Sequence, residues 1–147
     1  GAWYLEAMDA HGAWIASATD LVQFASALDS PEKCPLLSAE SVRKMFERPD
    51  GLAGFDADGE PSEKYYGLGW SVSNINGDQF TASHGGSLPG TNTLLNRRPD
   101  GRNVAILFNT RHSSQATRVV NAVRPQLNKA IDEIEKWPEQ DLFEPRR

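Results

Sequence analysis

Leu68-Gly69-Trp70-Ser71-Val72-Ser73-Asn74-Ile75-Asn76-Gly77-Asp78-Gln79-Phe80-Thr81-Ala82-Ser83-His84 is the stretch on which the fold turns. Leu68, Trp70 and Val72 share one face of a strand, the period-two pattern of a half-buried sheet. Asn76-Gly77 comes next, a pair that tight hairpin turns favour because both residues tolerate positive φ. Phe80, Ala82 and His84 then lie on one face of a second strand, expected over Gln79 to His84. So short a connection makes the pair antiparallel. Further on, Asn92 to Arg97 reads as a third strand and Pro99-Asp100-Gly101 as the turn after it. Val104-Ala105-Ile106-Leu107-Phe108 is a continuous apolar run, the pattern expected of a central strand covered on both faces.

Upstream the period is helical. Ser17-Ala18-Thr19-Asp20 forms a capping box with Asp in place of Glu, and Leu21, Phe24, Ala25 and Leu28 follow at helical spacing. A helix is expected over about 18–29. Ser38 is the N-cap of a second helix whose apolar face is Val42, Met45 and Phe46, and Pro49 ends it. Residues 49–64, with Gly51, Gly54, Gly59 and Pro61 among many acids, read as an exposed loop. Asp56-Ala57-Asp58-Gly59-Glu60 within it lacks the ordered ligands and distal Glu of a calcium loop. Downstream, Ala116, Val119, Val120, Val123, Leu127, Ile131 and Ile134 form one helical stripe. Pro125 is expected to kink that helix or to start a second one. The charged tail, 138–147, is expected to fray. The order helices, strands, helix gives an α+β class: a mostly antiparallel sheet with the C-terminal helix on one face and two N-terminal helices nearby.

Composition narrows the function. At 147 residues the chain is expected to form one domain spanning 1–147, with 39% apolar and 24% charged residues, an ordinary globular balance. A net charge of -5 without a compensating basic stripe argues against a nucleic-acid partner. Arg97, Arg98 and Arg102 cluster, but around the Pro-Asp-Gly turn, where a solvated loop explains them. Cys34 is alone, so no internal disulfide or thiol metal site is expected, and neither cytosol nor cell envelope is excluded. No apolar run is long enough to span a bilayer and no signal peptide opens the chain. Gly1 reads as a cloning scar and residues 2–8 as the ragged edge of a longer protein.

The chemistry concentrates in Ser83-His84-Gly85-Gly86-Ser87-Leu88-Pro89-Gly90. A titratable His sits beside glycines that let another group approach the main chain, and the next free N–H groups can point at an anion. Serine hydrolysis needs an attacking hydroxyl, a base within reach and donors for the developing oxyanion. His84 fits a base or substrate-orienting group, and the Ser87 N–H fits an oxyanion donor. A strand-end His beside a Gly turn also fits a purely structural role. Two Ser-x-x-Lys tetrads, Ser30 to Lys33 and Ser41 to Lys44, lie in an exposed turn and on a surface helix, the wrong settings for a buried nucleophile. Tyr65-Tyr66 offers phenols, neither followed two positions on by Asn. Gly85-Gly86-Ser87-Leu88-Pro89 fails as a nucleophile elbow at its last position.

Five pieces in order carry a resemblance: Gly12 to Ala25, Leu37-Ser38-Ala39-Glu40-Ser41, Tyr66-Gly67-Leu68-Gly69-Trp70, His84-Gly85-Gly86 with Pro89-Gly90, and Val104 to Asn109. Over about residues 12–111 the chain resembles the C-terminal part of the serine β-lactamase and penicillin-binding-protein-like family. The likeness is to its class C branch, which includes esterases and D-amino-acid peptidases. The resemblance implies that His84-Gly85-Gly86 occupies the place of the family's Lys-Thr-Gly triplet, on the strand walling the active-site cleft. His for Lys is similar to what esterase and peptidase members carry. Ser87 would then supply an oxyanion N–H, while Gly85, Gly86, Asn109 and Arg111 would bind substrate, the last two at the end of the neighbouring strand.

The family's true Ser-x-x-Lys and its Tyr-x-Asn lie upstream and have no counterpart here, so this chain alone is expected to be inactive. No metal or organic cofactor is implied, and the expected partner is a small-molecule or peptide carbonyl compound. Apolar surface left uncovered would favour a homo-oligomer. Two alternatives stay open. One is a stand-alone binding or regulatory module with the same half-fold. The other is a lipase-like enzyme, suggested by His84-Gly85-Gly86, which would need a parallel sheet.

Overall fold

The computed structural model describes residues 7, 8, 12, 14–111 and 119–140. Its centre is a five-stranded antiparallel sheet in simple chain order: β1 (Lys64–Tyr66), β2 (Ser71–Asn76), β3 (Gln79–Leu88), β4 (Thr91–Arg97) and β5 (Asn103–Phe108). Helices α1 (Ala18–Ala27) and α2 (Ala39–Phe46) precede it, and α3 (Val119–Asp132) follows. The class is α+β. Every ladder is antiparallel, which removes the lipase-like alternative.

Local chemistry accounts for most of these elements. Ser17 and Asp20 cap α1 reciprocally: the Asp20 N–H donates to Ser17 Oγ at 3.1 Å, and the Ser17 N–H donates to Asp20 Oδ2 at 2.8 Å. Ser38 Oγ accepts the Ser41 N–H at the start of α2. Gly77 has φ +57° and, with Asp78, makes the two-residue connection between the paired Asn76 and Gln79, so the turn sits one position later than an Asn76-Gly77 centre. Pro89-Gly90, with Gly90 at φ +83°, makes the two-residue connection from Leu88 to Thr91.

The core lies between the sheet and α1–α2. Ala25, Leu28, Val42, Trp70, Val72, Ala82 and Leu95 form its buried cluster, and Phe46 tilts against both Trp70 and Phe80. On the opposite face Val120 and Ile131 of α3 are buried. Directly opposed residues share a face, so Ala82, His84, Gly86, Thr93 and Leu95 point toward α1–α2. Ser83, Gly85, Ser87, Asn92 and Leu94 point the other way, toward α3.

Several expectations need correction. The second strand does not stop at His84 but runs to Leu88, so His84-Gly85-Gly86 lies inside β3. Glycine lowered the strand signal there, yet a partner strand supplies the ladder whatever the side chain. Leu68 is not a strand residue; it sits exposed in a connection between β1, which the alternation missed, and β2. The Val104 to Phe108 run is at the sheet's edge, not its centre. Helices α1 and α3 both contact β5. Its apolar run therefore reports helix contact on both faces, with Leu107 still 40% exposed, which is a different thing from two paired edges. Pro125 lies inside α3, which continues as one helix, with Val120 and Ile131 buried on either side of it. Ala116 and the tail beyond 140 lie outside the described residues, as does most of the segment before Trp14. The loop over 49–64 contains a short 3-10 turn, Gly51–Ala53, and a bridge from Phe55 to Pro61. Arg48 clamps it, donating from Nη1 to the carbonyls of Gly54 and Ser62 at 2.6 and 2.7 Å.

Candidate active site

His84-Gly85-Gly86-Ser87-Leu88 forms the half of β3 that has lost one neighbour. The β2 ladder ends at the Ser71–Ser83 pair, whereas the β4 ladder continues to Leu88–Thr91. In an antiparallel ladder successive residues turn their N–H and C=O groups to alternate sides. Leu88 closes the two-residue turn toward β4, so Gly86 and His84 also face β4. Gly85 and Ser87 direct their N–H and C=O groups away, along the edge that β2 leaves open. That edge gives a backbone donor a free direction, as an oxyanion requires.

His84 is exposed at this edge. Its Nδ1 lies 2.6 Å from the Gly69 carbonyl oxygen and 3.2 Å from the Tyr66 hydroxyl. Tyr66 ends β1 and Gly69 lies in the 67–70 connection to β2, which α2 fixes in turn, because the Leu68 N–H donates to the Met45 carbonyl at 3.0 Å. A Cβ on Gly67 would come within 2.5 Å of that same carbonyl oxygen, so only glycine lets the connection lie so close to α2. The imidazole borders a cavity of about 340 Å³ with Leu21, Phe24, Met45, Leu68, Trp70 and Thr93 in its wall. Such a mostly apolar concavity with one or two polar groups is the usual form of a small-molecule site.

Gly86 is required by its neighbour: a Cβ there would sit 2.4 Å from Thr93 Oγ1. Its carbonyl accepts from Asn92 Nδ2 at 3.0 Å, and Asn92 Oδ1 accepts the Val120 N–H at 3.2 Å. Asn92, only 1% exposed, thereby ties the glycine strand to α3. The Ser87 side chain lies on the α3 face and His84 on the α1–α2 face, so the two cannot form a hydroxyl–imidazole pair. Only the Ser87 main chain is available at the open edge. Asn109 and Arg111 are exposed just beyond β5. The expectation of a neighbouring strand is corrected: β4 lies between β5 and β3. Two strand spacings, roughly 10 Å, separate them from the His84 strand.

The candidate nucleophiles within the chain fare no better than their settings suggested. Ser41 is engaged with Ser38 on an exposed helix, and Lys44 lies 3.8 Å from Glu47. Tyr65 donates to the Phe46 carbonyl at 2.7 Å; burial pushes its phenol upward, against the charge of nearby Arg48.

A strand bearing His-Gly-Gly beside an open edge, with helices on both faces of an antiparallel sheet, accords with the family comparison: residues 1–128 match the family model described as Beta-lactamase. The chain belongs to that family. No curated protein and no solved structure matches it. Membership gives a serine-hydrolase-like fold. Among the described residues no helix is long and apolar enough to cross a membrane.

Sequence reasoning found His84 and its glycines but not their supports. In the sequence Tyr66 has no Asn two positions on, Gly69 stands only within the Tyr-Gly-Leu-Gly-Trp motif, and Thr93 and Asn92 read as ordinary strand residues. The Cβ contact at Gly86 explains why a glycine there faces a short polar side chain, a pairing only the register reveals.

Proposed function

We propose that this chain is the C-terminal portion of a serine hydrolase similar to class C β-lactamases, supplying one wall of an acyl-transfer cleft. The observation that carries this reading is the unpaired edge of β3, where His84 stands next to outward-directed main-chain N–H groups. His84 acts there as the base or the substrate-orienting group. The Ser87 N–H donates to the oxyanion, and Gly85 and Gly86 let the carbonyl compound lie along the strand. Asn109 and Arg111, further out beyond β5, take the far end of a larger substrate. The attacking serine belongs to residues this chain lacks. Small esters, amides or peptides are the substrate class, and His in the Lys position favours esters and peptides over β-lactams.

Phe24, Tyr66 and Leu68 are exposed around the cavity, which supports burial of this face against more protein, a second copy included. Treating the 147-residue chain with a fluorophosphonate tests the reading. No serine should be labelled stoichiometrically, and ester turnover should stay at background. A single labelled serine within the chain would overturn it.

A further inference from the structure

We infer that the connection between β1 and β2 is a positioning device that fixes the tautomer of His84. The Gly69 carbonyl holds the ring proton on Nδ1 and leaves Nε2 as the lone-pair atom. The inference rests on reading His84 as the cleft-wall group, but the ring state it assigns can be measured without any activity.

The argument begins with a contact of 2.6 Å between Nδ1 and the Gly69 oxygen. A carbonyl has no proton to give, and two facing lone pairs at that distance repel. The proton is therefore on Nδ1. Tyr66, whose oxygen is 3.2 Å from the same nitrogen, cannot donate to it and keeps its own proton for another acceptor. A histidine side chain free in water favours the opposite tautomer, with the proton on Nε2, so this ring state is imposed by its surroundings. On protonation the Nδ1–H bond to Gly69 persists while Nε2 gains the proton. One atom can then accept a proton and return it without turning the ring, as base and acid steps of acyl transfer require.

The device depends on a backbone dihedral. Gly69 has φ +84°, and a Cβ built on it meets nothing within 4 Å. Glycine is demanded by conformation, not by space. The Gly67 N–H donates to the Trp70 carbonyl at 2.8 Å and closes the turn that aims the Gly69 oxygen at the ring. A β-branched residue at 69 strains this conformation, whereas Asn tolerates positive φ.

Long-range 1H–15N correlation spectra of the histidine-labelled chain decide the matter, with His84→Gln identifying its signals among the three histidines. At a pH where the ring is neutral, the ratio of the Nδ1–H to the Nε2–H form should exceed that of a free histidine side chain by about fivefold, the worth of one ordinary hydrogen bond. Gly69→Asn should keep that excess and Gly69→Val should abolish it. Tyr66→Phe should leave it unchanged, because the hydroxyl does not donate to Nδ1. A parent-chain ratio no higher than that of the free side chain overturns the inference, as does a folded Gly69→Val with an unaltered ratio. Should Gly69→Val fail to fold, the parent and Gly69→Asn spectra decide alone. An Nδ1–H ring in a protein whose ester turnover ignores His84→Ala would sink the hydrolase reading and leave the positioning device standing.

Discussion

One strand, β3, is two different objects along its length. Its first half, Gln79 to Ser83, is paired to β2, with Ala82 and Ser83 paired to β4 as well, and includes Thr81 and Ala82, at 4% and 0% exposure. Its second half, His84 to Leu88, is paired only to β4 and exposes His84 and Gly85. The switch occurs where β2 begins at Ser71, because the Gly69 turn carries the chain away from the sheet. Packing and the candidate site are therefore segregated on a single strand. The first half rests on the Trp70–Val72–Ala82 core; the second leaves one main-chain edge unpaired.

Substitutions can break that division at either end. Trp70→Ala removes the aromatic wall under the half paired to β2 and should cost about 3–5 kcal/mol, read as a lowered urea midpoint. His84→Ala should leave that midpoint within about 0.5 kcal/mol of the parent, as exposed sites do. In a longer form that hydrolyses activated esters, it should cut kcat/KM by about 100- to 10,000-fold. An unchanged kcat/KM would mean the open half carries no chemistry.

Gly86→Ala sharpens the comparison, since it tests packing within the open half. Its Cβ would crowd Thr93 Oγ1, for an expected loss of about 1–3 kcal/mol. Adding Thr93→Ala should recover most of that loss, and a strictly additive double variant would refute the contact. The smallest effect is expected far from both halves, at the β4–β5 turn. Burial of Asp100 opposes its ionisation, but hydrogen bonds from Arg98 and Arg102 outweigh that and hold its carboxyl below the usual range. A lowered folded-state pKa means that the unfolded chain binds the proton more readily. The stabilisation is thus present above about pH 4 and is lost as pH falls through the folded value. Asp100→Asn should cost roughly 0.2–1 kcal/mol at pH 7, and its difference from the parent should shrink on acidification.

Much of the framework was legible because its signals are local. The Ser17–Asp20 cap, the hairpin turn at Gly77 and the Pro89-Gly90 turn each depend on residues within a few positions of one another. His84-Gly85-Gly86 was legible as a candidate site from chemistry alone. The extent of β3 was not, since Gly85 and Gly86 have weak strand preference and only β4 holds them extended. Nor was the edge position of β5, because its apolar run registers the helices above and below it and says nothing of which strand lies alongside. The His84 environment was hidden for a similar reason: the Gly69 oxygen arrives from 15 residues away.

The amino-acid order by itself determined where helices start, where hairpins turn, the α+β class and which His stands beside paired glycines. Those features follow from torsional preference, side-chain period and short-range hydrogen bonds. Tertiary structure alone decided which strand edge stays unpaired, which ring nitrogen carries the proton and that Asn92 ties β3 to α3. These depend on strand register and on carbonyls brought from distant segments, and no residue's own preference encodes its partner across the sheet.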